Sequence, residues 1–302
     1  MSYNRLIVLA ALALPGVAQP AFAQDRKVLL PSSNWELHYD TDSCVLRRGF
    51  GGEGEGIFFE LRQFAPGVSY QLLVVSGDFA VRDDSPTLRY GSDTDTFAPG
   101  NALVVEYDNG VEGVILNDNM FPAATKAEIQ ELDEEERASR YRSMMLDKAA
   151  LSARESVVNS ITLGDVFGED ITLKTGDMRA PMDAMRACTD DMVTRWGFDP
   201  AIQKTLSRPA MPRNSHRLAR RVQENYPRSM RTSGTTARVQ IRLDIDAQGY
   251  VSGCHFQLPV KQEAFRNDAC NSLKLARFEP AHDADGNPIA SYWSSAISYL
   301  LD

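Results

Sequence analysis

Apolar and polar residues alternate with a period of two near the C-terminal end of the chain. The apolar positions are Val239, Ile241, Leu243 and Ile245, and the polar positions between them are Arg238, Gln240, Arg242 and Asp244. Successive side chains of a strand point to opposite faces of its sheet. The pattern therefore predicts a strand with one apolar face and one solvent-exposed face.

The segments around this strand predict two further strands and two helices. Asp246–Gly249 has the composition of a turn, because Gly249 can adopt a left-handed backbone. The turn-rich run Asp283–Pro288 leads into the last strand. The predicted helices are Arg217–Asn225 and Glu263–Arg277, and the predicted strands are Val251–Leu258 and Ile289–Leu301. This part of the chain is therefore predicted to mix helices and strands in an α+β arrangement.

Short β-prone runs, separated by turn residues, fill residues 31–121. Asp108-Asn109-Gly110 is a strong hairpin signal between two of them. The predicted strands are Trp35–Tyr39, Cys44–Phe50, Ile57–Leu61, Tyr70–Val75, Leu103–Tyr107 and Val111–Leu116. This spacing predicts an antiparallel β sandwich or a barrel-like sheet.

Helical patterns follow this β-rich region. Residues 125–154 are charged and helix-prone, and opposite charges at i,i+4 spacing after Asp133–Glu136 favour a solvent-exposed helix. Val157–Leu163 is a further candidate strand, and Ala180–Trp196 is predicted as a second helix. One face of that helix carries Met182, Met185, Cys188, Met192 and Trp196. We expect this methionine stripe to face the core.

Charge and length divide the chain in two. Residues 24–207 hold 18 basic and 32 acidic residues, a net charge of −14, whereas residues 208–302 hold 13 and 9, a net charge of +4. We predict an acidic β-rich domain with helices over residues 24–205, a proline-containing linker over 206–217, and a second domain over 218–302. The acidic N-terminal domain argues against a nucleic-acid partner, because phosphates require a basic surface.

The N-terminus has the features of a secretory signal. Arg5 precedes an apolar run from Leu6 to Ala18, and Ala21-Phe22-Ala23 forms an A-x-A cleavage signature before Gln24. The apolar run is shorter than the roughly 20 residues that a membrane-spanning helix needs. We therefore expect residues 1–23 to be removed and the protein to be exported. An uncleaved membrane anchor is the alternative.

The chain contains four cysteines, Cys44, Cys188, Cys254 and Cys270. An even number of cysteines in an exported protein indicates disulfide bonds. Three pairings are possible. The two-domain division favours Cys44–Cys188 and Cys254–Cys270, with one bond in each domain.

The order of residues near the C-terminus resembles the C-terminal domain of the TonB family of periplasmic energy transducers, over about residues 220–302. The residues that carry the resemblance are Tyr226-Pro227, Gly234, Val239, Asp246, Gly249, Val251, Phe278-Glu279-Pro280-Ala281, Gly286 and Pro288. The resemblance implies a three-stranded antiparallel sheet backed by two helices, with the last strand at an edge. It also implies that this edge pairs with an extended peptide, the TonB box, of an outer-membrane transporter.

This resemblance makes the last strand the expected peptide-binding site. The residues of that strand that we assign to the site are Tyr292, Trp293, Ser294, Ser295, Ala296, Ile297 and Tyr299. The alternative for the aromatic residues is packing against the helices.

Two features depart from the family pattern. A transducer is expected to keep an N-terminal anchor that contacts the ExbB–ExbD motor, followed by a long proline-rich spacer. Here the N-terminal segment is predicted to be cleaved, and a predicted β-rich domain takes the place of a long spacer. We therefore expect a periplasmic binding protein. One alternative is an anchored energy transducer. The other is an envelope structural protein or an enzyme in which the TonB-like unit serves only for docking.

The sequence contains no pattern that predicts catalysis. It has no G-x-S-x-G and no H-E-x-x-H motif, and His38, His216, His255 and His282 lie in separate segments. The acidic runs lack the spacing and the glycine of an EF-hand. We therefore expect no catalytic residues, no metal and no cofactor.

The signal-peptide prediction can be checked directly. The intact mass of the protein purified from the periplasm is expected to correspond to a chain that begins at Gln24. Membrane-bound protein that retains Met1 or Ser2 would contradict this and favour the anchored transducer.

Overall fold

A computed structural model describes residues 26–82, 85–99, 102–107, 109–224, 232, 237–257 and 269–299. The predicted cleavage site at Ala23 and Gln24 lies outside these residues, as do the motif residues Tyr226-Pro227 and Gly234 and the first part of the helix predicted over Glu263–Arg277. We refer to residues 26–205 as the N-terminal unit and to the described residues from 206 onward as the C-terminal unit.

In the described part of the N-terminal unit, ten strands build two sheets. The strands are β1 (Arg26–Leu29), β2 (Glu36–Tyr39), β3 (Cys44–Phe50), β4 (Ile57–Gln63), β5 (Tyr70–Ser76), β6 (Thr87–Tyr90), β7 (Leu103–Glu106), β8 (Glu112–Asp118), β9 (Ile161–Gly164) and β10 (Asp170–Leu173). Six of them form an antiparallel sheet in the order β2-β3-β4-β5-β8-β7. The others form a sheet in the order β1-β10-β9-β6, in which β1 runs parallel to β10. The six predicted strands before residue 121 are all confirmed.

Among the residues of this unit that the structure describes, five helices accompany these sheets. They are α1 (Ala123–Gln130), α2 (Glu134–Leu146), α3 (Lys148–Val157), α4 (Arg179–Arg195) and α5 (Pro200–Lys204). The region predicted as one helix-prone segment is thus divided into three helices. Asp133 is the N-cap of α2 and forms a capping box with Glu136. The Asp133 carboxylate accepts from the Glu136 backbone amide, and the Glu136 side chain accepts from the Asp133 backbone amide. None of the α2 residues is buried, in keeping with a charged exposed helix.

Both sheets and α4 share one hydrophobic core. The methionines of α4 face it as predicted, and Cys188 on α4 is bonded to Cys44 on β3. The alpha carbons of these cysteines lie 6.0 Å apart. The predicted pairing is confirmed, and it joins the helix to the central sheet across 144 residues of sequence.

A buried ion pair holds α1 against the core. Lys126 Nζ lies 2.8 Å from Asp118 Oδ2, and both side chains are almost completely buried. The Tyr90 hydroxyl donates to the same carboxylate oxygen, and Tyr70 donates to Tyr90. Burial raises the pKa of Asp118 and lowers that of Lys126, so the hydrogen bonds and the ion pair compensate a large desolvation cost.

The C-terminal unit is built around a three-stranded antiparallel sheet in the order β13-β12-β17. Its elements are β11 (Met211–Pro212), α6 (Ser215–Glu224), β12 (Ala237–Ile245), β13 (Val251–Phe256), β14 (Phe278–Glu279), β15 (Ala281–His282), β16 (Pro288–Ile289) and β17 (Ser291–Tyr299). The apolar residues of β12 lie in a second core with Leu273 and Phe278. Cys254 and Cys270 are bonded, as predicted. The mixed α+β fold class is confirmed.

Residues 206–217, predicted as a linker, pack as part of the C-terminal unit. Leu206 and Ala210 are buried in its core, and β11 pairs with β14. The prolines that suggested a linker are compatible with this structure. Strand β11 has only two residues and lies at a sheet edge, so its pairing with β14 needs few backbone N–H donors. Among the described residues, no helix combines the length and the apolar composition needed to cross a membrane.

Two left-handed glycines allow a matched test of this unit. Gly249 and Gly286 have φ angles of +82° and +85°. A Cβ at Gly249 would collide with the carbonyl oxygen of Phe278, whereas a Cβ at Gly286 would meet no atom within 4 Å. We predict that Gly249→Ala lowers the free energy of unfolding by about 2–4 kcal/mol, and that Gly286→Ala lowers it by about 1 kcal/mol, the cost of the backbone conformation alone. Chemical denaturation measures both, and equal losses would contradict the close approach.

Candidate functional site

The last strand, β17, occupies an edge of the C-terminal sheet. Its nine residues pair antiparallel with β12, from Ser291 opposite Ile245 to Tyr299 opposite Ala237. In the described part of the chain β17 has no second strand neighbour. Alternate residues of β17 therefore direct their N–H and C=O groups away from β12. The predicted last strand is present, but it begins at Ser291 because β16 and Ala290 precede it.

The side chains of β17 are divided between two environments. Trp293 packs against Phe278 in the C-terminal core, with 5.6 Å between ring centroids. Tyr292 points the other way and contacts Trp196 and Phe198 of the N-terminal unit, with centroids 5.1 and 5.7 Å apart. These two assigned peptide contacts thus have partners within the chain.

The remaining assigned residues are smaller or lie toward the strand's end. The Ser294 hydroxyl donates to Gln257 Oε1 at 2.7 Å. Ser295 and Ala296 are half-buried. Ile297 and Tyr299 continue the pairing with β12, and their side chains lie outside the described part of the structure.

The polar face of β12, predicted to be solvent-exposed, is buried against the N-terminal unit. Arg242 Nη1 lies 3.0 Å from Asp42 Oδ1, Arg242 Nε lies 3.1 Å from Asp244 Oδ1, and the guanidinium is 4.3 Å from the Trp196 ring centroid. Only 5% of the Arg242 side chain is exposed. We call Asp42, Trp196 and Arg242 the junction. The prediction was wrong because alternation identifies a polar face and does not show whether water or protein covers it.

Asp42 connects three elements at the junction. Its carboxylate accepts from Trp196 Nε1 at 2.8 Å as well as from Arg242, and its carbonyl oxygen accepts from the Gln257 side chain. The Gln257 amide also donates to the carbonyl oxygen of Phe64. The two units are thus joined by hydrogen bonds that are shielded from water, and their relative placement is defined by side-chain geometry.

A groove of about 510 Å³ lies between the units, along β17. All six residues of Ser291–Ala296 line it, although successive residues of a strand face opposite sides of the sheet, so we infer that the outer edge of β17 borders the groove. The loop between β4 and β5 (residues 64–69), helix α2 and part of segment 206–211 contribute most of the other lining residues. Single positions of neighbouring elements complete the lining: Arg62, Tyr70, Gln71, Asn117, Gln203 and Gln240. The volume falls within the range of about 300–1,000 Å³ that ligand sites occupy.

The groove carries two charged side chains, Arg62 and Arg142. Arg62 lies 2.9 Å from both Asp40 and Glu60, so its charge is compensated. Arg142 on α2 donates to the carbonyl oxygen of Lys204 at 3.1 Å. Among the described residues no carboxylate lies within ion-pair distance of Arg142. Burial lowers the pKa of Arg142, in keeping with a charge that has little compensation.

Tyr292 lies where Arg142, β17 and the junction meet. Burial raises the pKa of Tyr292, the charge of Asp190 acts in the same direction, and the charges of Arg142 and Arg242 act against it. The hydroxyl therefore remains protonated at neutral pH and can donate a hydrogen bond.

Comparison with known proteins identifies the unit that carries β17. Residues 222–301 match the family model of the Gram-negative bacterial TonB protein C-terminal. This unit contains a TonB C-terminal domain. The resemblance carried by the motif residues is confirmed. No curated protein matches the chain at a significant level.

The family match covers residues 222–301, and many of the residues that line the groove lie outside this range. Arg142, Met145 and the loop at residues 64–69 belong to the N-terminal unit. Sequence analysis missed them because α2 has the charge pattern of a solvated helix, which contains no signal for a distant partner. In the described part of the chain, no cluster of three metal-ligating side chains occurs.

The junction predicts a graded response to substitution at Arg242. We expect Arg242→Met to lower the free energy of unfolding by about 2–3 kcal/mol, because it leaves Asp42 and Asp244 without their buried partner. Arg242→Lys keeps the charge but lacks the planar guanidinium and its stacking on Trp196. We expect this variant to lower the free energy of unfolding by about 1 kcal/mol.

Arg213→Met is the matched control. Arg213 forms an exposed ion pair with Glu279 at 2.9 Å, so its loss should change stability by less than about 1 kcal/mol. Denaturant unfolding, followed by tryptophan fluorescence, measures all three variants. An Arg242→Met variant as stable as the control would show that the junction does not hold the units together.

Proposed function

We propose that the protein is an exported envelope protein that captures an extended peptide of an outer-membrane TonB-dependent transporter by strand addition to β17. The family of the matched domain interacts with outer-membrane transporters and is associated with the cell envelope. The observation that carries the proposal is the position of β17, which pairs with β12 on one side and borders the groove on the other.

Strand addition uses the groups that an edge strand leaves unpaired. A bound peptide accepts from the outward N–H groups of β17 and donates to its outward C=O groups. These bonds supply affinity with little dependence on the sequence of the peptide. Because the groove borders this edge, the peptide would be held on more than one side.

The proposal is one of binding rather than catalysis. The polar side chains near β17 are engaged in structural hydrogen bonds, as Ser294 with Gln257 and Ser291 with Gln203. The two disulfides support an oxidising compartment such as the periplasm. With the N-terminal segment removed, the protein would act as a periplasmic adaptor without contact to a membrane motor.

The edge-strand mechanism predicts an alternation along β17. Proline has no N–H, so placing it at successive positions Ser294, Ser295 and Ala296 removes outward and inward donors in turn. Where the donor points outward, we expect a several-fold loss of peptide affinity, because one hydrogen bond contributes roughly 0.5–1.5 kcal/mol. Where it points inward, we expect a lower melting temperature instead.

Ser294→Ala and Ser295→Ala serve as controls, because they keep the backbone N–H. Affinity is measured by calorimetry with a synthetic peptide from the N-terminal region of a transporter, and stability by thermal unfolding. If all three prolines leave affinity unchanged in a folded protein, peptide capture at β17 is wrong and the resemblance is one of fold alone.

A further inference from the structure

We infer that Arg142 of the N-terminal unit makes the groove specific for acidic peptides. The backbone of an extended peptide lies along β17, and an Asp or Glu side chain of the peptide pairs with Arg142. This inference rests on the proposed function and adds a specificity-determining residue that lies outside the TonB C-terminal domain.

The position of Arg142 is the first argument. It lies on the inward side of α2 with Ala138, Tyr141 and Met145, which also line the groove. Its contact with the carbonyl oxygen of Lys204 holds one edge of the guanidinium. An arginine has five N–H donors in a planar fork, and a carboxylate accepts two of them at once. The remaining donors can therefore serve a ligand without breaking the contact to Lys204.

The charge balance of the groove is the second argument. The carboxylates near it already have cationic partners, since Asp40 and Glu60 pair with Arg62 and Asp190 pairs with Lys204. Among the residues that the structure describes, the lining includes no aspartate or glutamate. Arg142 is consequently the uncompensated charge of the groove, and a half-buried cation gains more from a carboxylate than one in open solvent.

The third argument is that the side chains of Tyr292, Trp293 and Ser294, in the described part of β17, offer little selectivity of their own. Tyr292 and Trp293 are occupied by contacts with Trp196 and Phe278, and Ser294 is bonded to Gln257. A peptide on this edge would be recognised mainly through its backbone. Charge complementarity with Arg142 then distinguishes an acidic peptide from a neutral or basic one.

The test uses the full exported protein and two sets of synthetic peptides. Both sets are acetylated and amidated hexapeptides of alternating threonine and valine, which favour an extended backbone. In one set a single glutamate is moved through each position in turn, and in the other a glutamine replaces it. Affinities for wild type, Arg142→Gln and Arg140→Gln are measured by calorimetry.

Arg140 is the matched control, because it lies on the same helix, carries the same charge and is exposed outside the groove. We expect glutamate to bind about ten-fold more tightly than glutamine at one position of the peptide, or at two positions separated by one residue. Arg142→Gln should abolish this preference without weakening the glutamine peptides, and Arg140→Gln should preserve it.

The outcomes separate this inference from the proposed function. One outcome is that a proline in β17 lowers the affinity for the peptides, but wild type binds glutamate and glutamine peptides equally. Selection by Arg142 is then wrong, and strand addition stands. A glutamate preference that persists in Arg142→Gln also overturns it. If neither set of peptides binds, both the inference and the proposed function fail. The comparison of peptides on wild type needs no variant, so a folding defect in Arg142→Gln does not obscure the result.

Discussion

A buried arginine at the junction determines how the two units of this protein are placed. The guanidinium of Arg242 is removed from water, so it requires partners that satisfy its charge and its donors. Asp244 comes from the same strand, whereas Asp42 and Trp196 come from the N-terminal unit. A planar fork satisfied in this way tolerates little rotation or sliding. The contact therefore fixes the face of the C-terminal sheet against one site on the N-terminal unit.

This placement creates the groove along β17. An isolated TonB C-terminal domain would leave the edge of its last strand open on the outer side, where any extended chain could pair with it. Here α2 and the loop at residues 64–69 face that edge at a distance that leaves room for a ligand. Confinement restricts which chains can enter and adds contacts to those that do. The N-terminal unit thus gives the edge a selectivity that a bare sheet lacks.

Local patterns predicted most of the elements but not their association. Period-two alternation located β12, helical spacing located the buried face of α4, and the division into two parts predicted both disulfides. Strands β1, β6 and β10 were missed, because a four-residue segment is too short to show a period. Strands β2, β7 and β9 are equally short, and they were predicted because they lie within longer β-prone runs. The junction and the position of Arg142 in the groove depend on contacts between residues far apart in the sequence, such as Asp42 and Arg242, which are 200 positions apart. A single sequence contains no local signal for such contacts.

The fixed placement of the two units also determines which groups of β17 remain available to a ligand. A strand has two faces and one free edge, and in this structure the core takes one face while the junction region takes the other. Holding both faces makes the edge rigid, which lowers the conformational entropy lost when a peptide binds. Along Tyr292–Ser294 it also leaves mainly backbone groups of β17 for recognition, and backbone groups are nearly the same in every peptide. Discrimination between peptides must therefore come from the lining of the groove outside β17, where Arg142 is the uncompensated charge.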